Sequence, residues 1–319
     1  MTRRLGQPGS LAPHMHIEVK RQMGPGDIEA VRELLDVATA ADDHHPLGEH
    51  AWLDLVEGGR EGFAGFVAWE AGHGHPVGYA QLNRGPTTWA LEFVTDPHHR
   101  VPGNTIGQEL VAGALELVAS EGGGHVHLWV SKPRPEHDEI AATCGLTRGR
   151  ELYQMRRALP LDETTDLEVR AFVPGTDEEA WLDVNNRAFA WHPEQGGWDL
   201  ATLQAREKEP WFDPAGFLLH ERDGRLAGFC WTKVHDDHDP PLGEIYVIAV
   251  DPDFQKAHLG RDLVVAGLDS LAKRGLTVGM LYVDASNVPA VKLYVDLGFQ
   301  VDHVDRAYVT DVPSALPMP

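Results

Sequence analysis

Three chemically capable groups fall close together in the last third of the sequence. Glu244 opens the apolar run Glu-Ile-Tyr-Val-Ile-Ala-Val, which ends at Asp251-Pro252. A polar loop follows, Gln255-Lys256-Ala257-His258-Leu259-Gly260-Arg261. It leads into a stretch with Leu263, Val264, Gly267, Leu268 and Leu271 on one helical face. A second apolar run, Leu281-Tyr282-Val283, then reaches Asn287 and Tyr294 before Leu297-Gly298-Phe299. Strand, loop, helix and returning strand present successive backbone N–H groups and a helix N-terminus to a phosphate-bearing cofactor. A carboxylate at the mouth of the first strand could take a proton from an attacking amine, directly or through water. A phenol on the returning segment could give one back. Taken singly, Glu244 reads as a strand end and Tyr294 as core packing; their order and spacing carry the chemistry.

The elements that position these groups occur twice. Asp96-Pro97 matches Asp251-Pro252 at an offset of 155 residues. Ile106-Gly107 matches Leu259-Gly260 at 153, as do Leu110 with Leu263, Leu128-Trp129-Val130 with Leu281-Tyr282-Val283, and Gly145-Leu146 with Gly298-Phe299. The pattern predicts opening strands at His16–Arg21 and Leu167–Val173. It predicts helices at Asp27–Ala41 and Asp177–Ala190, with Asp27 and Asp177 as N-caps. Strand pairs follow at Gly62–Trp69 with Pro76–Asn83 and at Gly216–Glu221 with Ala227–Val234, turning at His73–His75 and Asp223–Gly224. Helices over 105–120 and 259–274 come next, and a strand, a helix and a strand end each copy. The domains read as a flexible arm at 1–14, a first copy at 15–159, a linker at 160–166 after Pro160, and a second copy at 167–319. This order predicts an α/β, or mixed α+β, sheet with helices on both faces.

The copies differ at the positions that matter. Where the second has Glu244, Asn287 and Tyr294, the first has Trp89, Arg134 and Ala141. Its loop, Arg100 to Gly107, is two residues longer and carries Pro102. The second copy is therefore expected to do the chemistry, and the first to be a degenerate repeat.

Composition narrows the partners. The chain has 319 residues, enough for two domains with cores of their own. A formal net charge of −22 disfavours nucleic acid and anionic membrane. Cys144 and Cys230 are too few for a disulfide framework and read as buried thiols of a reducing cytosol. No run of 18 apolar residues is present, so no span is expected, and the basic start lacks the apolar segment of a secretory signal. A cytoplasmic monomer is the expectation. The 18 histidines, among them His44-His45, His73, His75 and His98-His99, lie in loops without clear metal-ligand spacing, and no metal is expected.

The run from Val250-Asp251-Pro252 through Gly260 resembles the GCN5-related N-acetyltransferases, and the resemblance covers nearly the whole chain as two tandem domains. The family's glutamine and second loop glycine are kept as Gln255 and Gly260, whereas His258 stands where a first glycine is usual. Three further segments, Val184 to Trp198, Phe229 to His235 and Trp211-Phe212-Asp213-Pro214, together with Gly243-Glu244, are similar to the mycothiol-synthase branch of that family. The resemblance implies acetyl-CoA as cosubstrate and the cysteinyl amine of cysteinyl-glucosaminyl-inositol as acceptor. It implies acceptor contacts at Glu49, Glu194, Lys233 and Glu244, with Glu49 coming from the first copy. It implies cofactor contacts at Ile248-Ala249-Val250, Gln255 to Arg261, Tyr282 and Asn287-Val288-Pro289-Ala290-Val291-Lys292; Tyr282 also falls beside the acceptor. In the first copy, Phe93-Val94-Thr95 and the 100–107 loop would hold any cofactor. Glu244 is implied as base, backbone N–H groups near Ile248–Val250 as polarisers of the thioester carbonyl, and Tyr294 as the acid that protonates the departing thiolate. A tandem acetyltransferase for an aminoglycoside or a protein N-terminus is an alternative, as is a non-catalytic acyl-CoA sensor.

Overall fold

In the computed structural model the described residues are 15–315 without 60, 86, 191–194 and 258; the side chains of Glu49, Lys256 and Ala257 are also outside the description. The arm expected at 1–14 and the predicted contacts Glu194 and His258 therefore lie outside it. Contacts divide the chain into two units, Met1–Glu151 with Val304–Pro319, and Leu152–His303.

The first unit opens with β1 (Met15–Lys20), α1 (Pro25–Asp42) and α2 (Glu49–Val56), then β2 (Phe63–Glu70), β3 (Gly78–Arg84) and β4 (Thr88–Thr95). A 3-10 turn at Pro97–His99 precedes α3 (Ile106–Ser120), β5 (Gly124–Ser131), α4 (Pro135–Thr143) and the start of β6 (Thr147–Ala158), which runs on into the second unit. Asp27 does not cap α1 from outside. The helix starts two residues earlier at Pro25, with Gly24 as N-cap, and the Asp27 carboxylate reaches back to accept from Gly24 N at 3.1 Å. Helix α2 has no counterpart in the sequence prediction. Its eight residues bury Ala51 and Leu55 but are too short for a clear 3.6-residue period.

The second unit contains β7 (Arg170–Ala171), α5 (Glu178–Ala188), α6 (Leu200–Glu207), β8 (Phe217–Arg222), β9 (Arg225–His235), β10 (Leu242–Val250), α7 (Leu259–Lys273), β11 (Val278–Asp284), α8 (Val288–Asp296) and the start of β12 (Gln300–Val312). Helix α6 was not foreseen either. Strand β7 is only two residues long instead of seven. The Leu167 N–H goes to Thr165 Oγ1 at 3.2 Å rather than to a ladder, and Phe172 N–H makes the last sheet-side bond, to Phe217 O. Residues 159–169 form neither helix nor strand.

Each unit is one mixed sheet with a helix layer on each face, ordered β1-β2-β3-β4-β5-β12 in the first and β6-β11-β10-β9-β8-β7 in the second. Residues 305–312 pair antiparallel with β5, and residues 152–158 pair antiparallel with β11. The strand closing each unit is thus the one that ends the other repeat in sequence. The repeat boundaries at 159 and 167 are boundaries of sequence; the contact boundaries fall at 151/152 and 303/304.

Helices α1 and α2 pack on one face of the first sheet through Val31, Leu34, Leu35 and Leu55, and α3 packs on the other through Leu110, Val111, Ala114 and Val118. In the second unit α7 and α8 cover one face, with Leu263, Val264, Leu268, Leu271 and Tyr294. The opposite face is an aromatic nest under α5 and α6. Phe217 stacks on Trp231 at 4.3 Å and on Phe172 at 4.4 Å, and Trp181 meets Phe217, Phe229 and Trp231 edge to face. These rings give the sheet behind Lys233 and Glu244 a stiff apolar backing.

Candidate active site

The site is built where a parallel strand pair comes apart. Strand β10 pairs with β11 only from Leu242 to Ile245, against Val278 to Leu281. Beyond that point Tyr246 to Val250 keep their ladder with β9 alone, so one row of backbone N–H and C=O groups faces the opening. The β9–β10 register also slips between Ile245 and Val247, making Tyr246 a bulged residue. A bulge re-aims side chains locally and is common beside active sites. Here both Tyr246 and Val247 pack toward the aromatic nest.

Glu244 is the last carboxylate before the strands separate, and its side chain is 8% exposed. Its Oε2 lies 2.7 Å from His235 Nε2, two positions along β9 from its cross-strand partner Lys233. Its Oε1 has no partner among the described residues. Lys233 is also buried, with Nζ 4.5 Å from the Trp211 ring centre and 5.5 Å from that of Tyr246. The cation–π box holds an ammonium where water is scarce. His235, Trp211 and Tyr246 complete this group. Sequence reasoning gave Tyr246 no role beyond core or pocket wall and passed over His235 as a site residue, although its i+2 relation to Lys233 on an alternating strand puts it on the same face.

Tyr294, on α8, is buried among Cys230, Leu263, Val283 and Phe299, with the Phe299 ring 5.9 Å away edge to face. Burial pushes its phenol up to about 12, with the Cys230 thiol adding to the shift. The hydroxyl keeps its proton at neutral pH and has no hydrogen-bond partner among the described residues. Cys230 is fully buried and its thiol is pushed up strongly by burial, which rules it out as a thiolate nucleophile.

The counterpart of the sequence-predicted phosphate loop is the turn that leads into α7. Asp251 caps the 3-10 turn at Pro252–Ala257 by accepting from Asp253 N at 2.8 Å, and Arg187 pairs with its other oxygen. The turn delivers the chain to Leu259 and Gly260, the first two residues of α7. A Cβ built on Gly260 meets nothing within 4 Å among the described residues. Its counterpart Gly107 is crowded: a Cβ there would lie 2.8 Å from Ile140 Cδ1 and 3.0 Å from Phe93 Cε2. The first unit has the same splayed pair, β4 with β5 only from Thr88 to Leu91, but Phe93 and Ile140 fill the place where the second unit is open. Arg100, the counterpart of Gln255, donates to Thr95 O at 2.8 Å and to Asp42 at 2.7 Å, and the Asn104 side chain takes the Ile106 N–H. The Arg100 guanidinium and the first N–H of α3 are thereby committed inside the unit.

The other predicted contacts divide. Gln255 is exposed on the rim of the turn, and Ile248-Ala249-Val250 line the opening. Tyr282 is 42% exposed on the diverging end of β11 and accepts from Gln154 Nε2 at 2.7 Å. Asn287 caps α8 by accepting from Ala290 N at 3.3 Å, so its side chain has a structural task. Arg261 is held in a two-bond ion pair by Glu163, and Lys292 pairs with Asp296 one turn on. Val288 is exposed at the start of α8. Glu49 begins α2 with its side chain outside the description. Of the loop that includes Glu194, the described end is fixed by two amides: Asn185 Nδ2 donates to Gln195 O at 3.0 Å, and Asn186 exchanges bonds with Trp198 N and O.

Comparison with known proteins shows the family. Residues 28–145 and 179–299 each match the Acetyltransferase (GNAT) family. A mycothiol acetyltransferase of Acidimicrobium ferrooxidans is 43% identical over 299 residues, covering 91% of this chain and 95% of that protein. One from Streptomyces coelicolor is 42% identical, covering 97% and 98%. Among solved structures, a GCN5-related N-acetyltransferase from Sphaerobacter thermophilus has a TM-score of 0.73 at 21% identity, covering 97% of this chain and 99% of that one. A tandem GNAT protein from the clavulanic acid biosynthesis pathway has 0.67 at 17%, covering 95% and 100%. The two structures show the fold, and the two sequence relatives show the branch. With both copies matched and the relatives aligned nearly end to end, the chain is an N-acetyltransferase of the GNAT family in tandem form and belongs to the mycothiol acetyltransferases.

Proposed function

We propose that the chain transfers the acetyl group of acetyl-CoA to the cysteinyl amine of cysteinyl-glucosaminyl-inositol, closing mycothiol biosynthesis, and that the second unit alone does the chemistry. The observation that carries the second part is the contrast at the paired helix starts, open at Gly260 and filled at Gly107. Acetyl-CoA, used by this family, supplies an activated thioester when bound. The residues present suit it. The α7 N-terminus and the turn before it offer N–H donors to a pyrophosphate, and the free edge of Tyr246 to Val250 offers a strand to pair with an extended amide-bearing arm.

In this reading Glu244 accepts the proton of the attacking amine on Oε1, while His235 fixes Oε2 and so the rotamer of the base. Lys233 and its aromatic box orient a hydroxylated acceptor and keep the site dry. A backbone N–H near Ile248–Val250 polarises the thioester carbonyl. Tyr294 donates to the departing sulfur. A phenol held near 12 would be a poor acid toward a thiolate in water, but burial raises both groups, as Cys230 shows in the same cluster. The transfer is then between partners shifted in the same direction.

The test is product mass from purified protein and acetyl-CoA, comparing cysteinyl-glucosaminyl-inositol, glucosaminyl-inositol and an aminoglycoside. Acetylation of the cysteinyl amine alone supports the reading. Acetylation of the aminoglycoside instead would replace the acceptor. Binding of acetyl-CoA with no product from any of the three would replace the activity.

A further inference from the structure

The turn between β2 and β3 is longer than its counterpart at Asp223–Gly224, and the extra length carries His73 and His75. The fold folds it against the Asp96-Pro97-His98-His99 corner at the end of β4. Sequence spacing hid this grouping, because the ligating atoms come from two turns more than twenty residues apart.

Asp96 is 0% exposed. Its Oδ1 accepts from His98 N at 2.7 Å and closes the 3-10 turn. Its Oδ2 is buried and has no hydrogen-bond partner among the described residues. Two imidazole nitrogens point at that oxygen, His73 Nε2 and His75 Nε2, each at 3.6 Å. That distance is too long for a hydrogen bond. It is close to the spacing of about 3.3 Å between neighbouring ligands on a tetrahedral cation with bonds of about 2.0–2.1 Å. All three ligand atoms lie within 4.8 Å of one another.

The His75 tautomer agrees. His75 Nδ1 lies 2.9 Å from Pro76 O, so Nδ1 carries the proton and Nε2 offers a lone pair to the space beside Asp96. His73 Nδ1 faces Glu70 Oε2 at 3.9 Å, an ion-pair distance that a bound cation would have to tighten, and the same oxygen lies 2.8 Å from His99 Nε2. A carboxylate behind a ligating imidazole is the usual outer support of a metal site. The second unit resolves the same buried aspartate differently, with Arg187 on Asp251 Oδ2. The first unit places two imidazoles there, and His73 and His75, 30% and 20% exposed, leave a way in from solvent.

We propose that His73, His75 and Asp96 bind one divalent transition cation of the zinc type, with Glu70 and His99 as outer support and one coordination position open. Two imidazoles and one carboxylate suit Zn²⁺ and Co²⁺ better than Mg²⁺ or Ca²⁺. The ion would tie the β2–β3 turn to the corner from which the altered 100–107 loop departs.

The test uses the untagged full chain, stripped with a chelator and titrated with Zn²⁺ alone against a competing indicator, and with Co²⁺ by visible absorption. One Zn²⁺ per chain is expected, with a tetrahedral Co²⁺ spectrum. His73→Gln and His75→Gln should each weaken binding at least about 100-fold, and Glu70→Gln about 10- to 100-fold. His125→Ala, at a separate histidine pair, should leave it unchanged. Far-UV circular dichroism and retained acetyl transfer establish that the variants are folded. Absence of stoichiometric Zn²⁺ binding, or binding that survives His75→Gln, overturns the proposal. The cluster would then be a set of metal-free imidazole–carboxylate contacts.

Discussion

Replacing Gly260 with alanine separates the cofactor's needs from those of the fold. The added methyl meets no described atom within 4 Å. Gly260 is the second residue of α7, where alanine improves helix propensity by up to about 0.5–1 kcal/mol. The apo protein should therefore be as stable as the parent or slightly more so. A pyrophosphate must come within about 2.9 Å of a backbone N–H, and a methyl in front of the helix start denies it one or two charged hydrogen bonds. At about 1.5–3 kcal/mol for the first such bond, the KM for acetyl-CoA should rise at least about 10- to 100-fold. Gly107→Ala should do the reverse. Its methyl would press on Ile140 Cδ1 at 2.8 Å and Phe93 Cε2 at 3.0 Å, which costs about 1–3 kcal/mol as overpacking. That is a fall of about 2–4 °C in Tm per kcal/mol for a unit of this size, with the KM for acetyl-CoA unmoved. The assay is thiol release at varied acetyl-CoA, paired with thermal unfolding by calorimetry. A Gly260→Ala enzyme with parental KM, or a Gly107→Ala enzyme whose KM rises, would refute the assignment of the cradle to the second unit.

Three more outcomes follow from the same geometry. Tyr294→Phe keeps the ring against Phe299 and removes a hydroxyl without a protein partner, so Tm should stay within about 2 °C while kcat falls about 100-fold or more; unchanged turnover would reduce the residue to packing. Glu244→Gln retains an acceptor for His235 and should fold normally, with kcat down at least about 100-fold and a flattened acid limb in the pH–rate profile; a loss below about threefold would remove the base from Glu244. His137 is pushed down to about 4, first by burial and then by Arg134, with Arg100 adding to the shift and Glu136 and Asp42 opposing it; its Nδ1 accepts from Arg134 N. Its folded pKa is below the unfolded value of about 6.5, so its contribution is complete above pH 6.5 and is lost as pH falls toward 4. Urea unfolding at pH 7.5 and 4.5 should show that His137→Gln abolishes roughly 2.5 kcal/mol of acid destabilisation, and parallel slopes in parent and variant would contradict a buried neutral imidazole.

The repeat, the mixed sheet, the helix over 259–273 and the chemical difference between the copies were legible in the sequence. Each rests on local periodicity, or on two segments that can be laid side by side. The contrast of Glu244 and Tyr294 with Trp89 and Ala141 was legible for the same reason, and their proposed acid–base roles rest on it. Short elements escaped: α2 and α6 span two turns each, too little for a period to declare itself. The tasks of Asn287 and Arg261 also escaped, because a cap and an ion pair with Glu163 depend on where other segments arrive. Tertiary structure alone decided that residues 305–312 close the first sheet and 152–158 the second. Strand pairing is a contact between distant residues, and two similar edges accept either strand on local grounds. It alone set His235 behind Glu244, filled one cradle with Phe93 and Ile140, and gathered His73, His75 and Asp96. Sequence fixes which groups a segment carries and which face they share; three-dimensional packing fixes which of those groups meet.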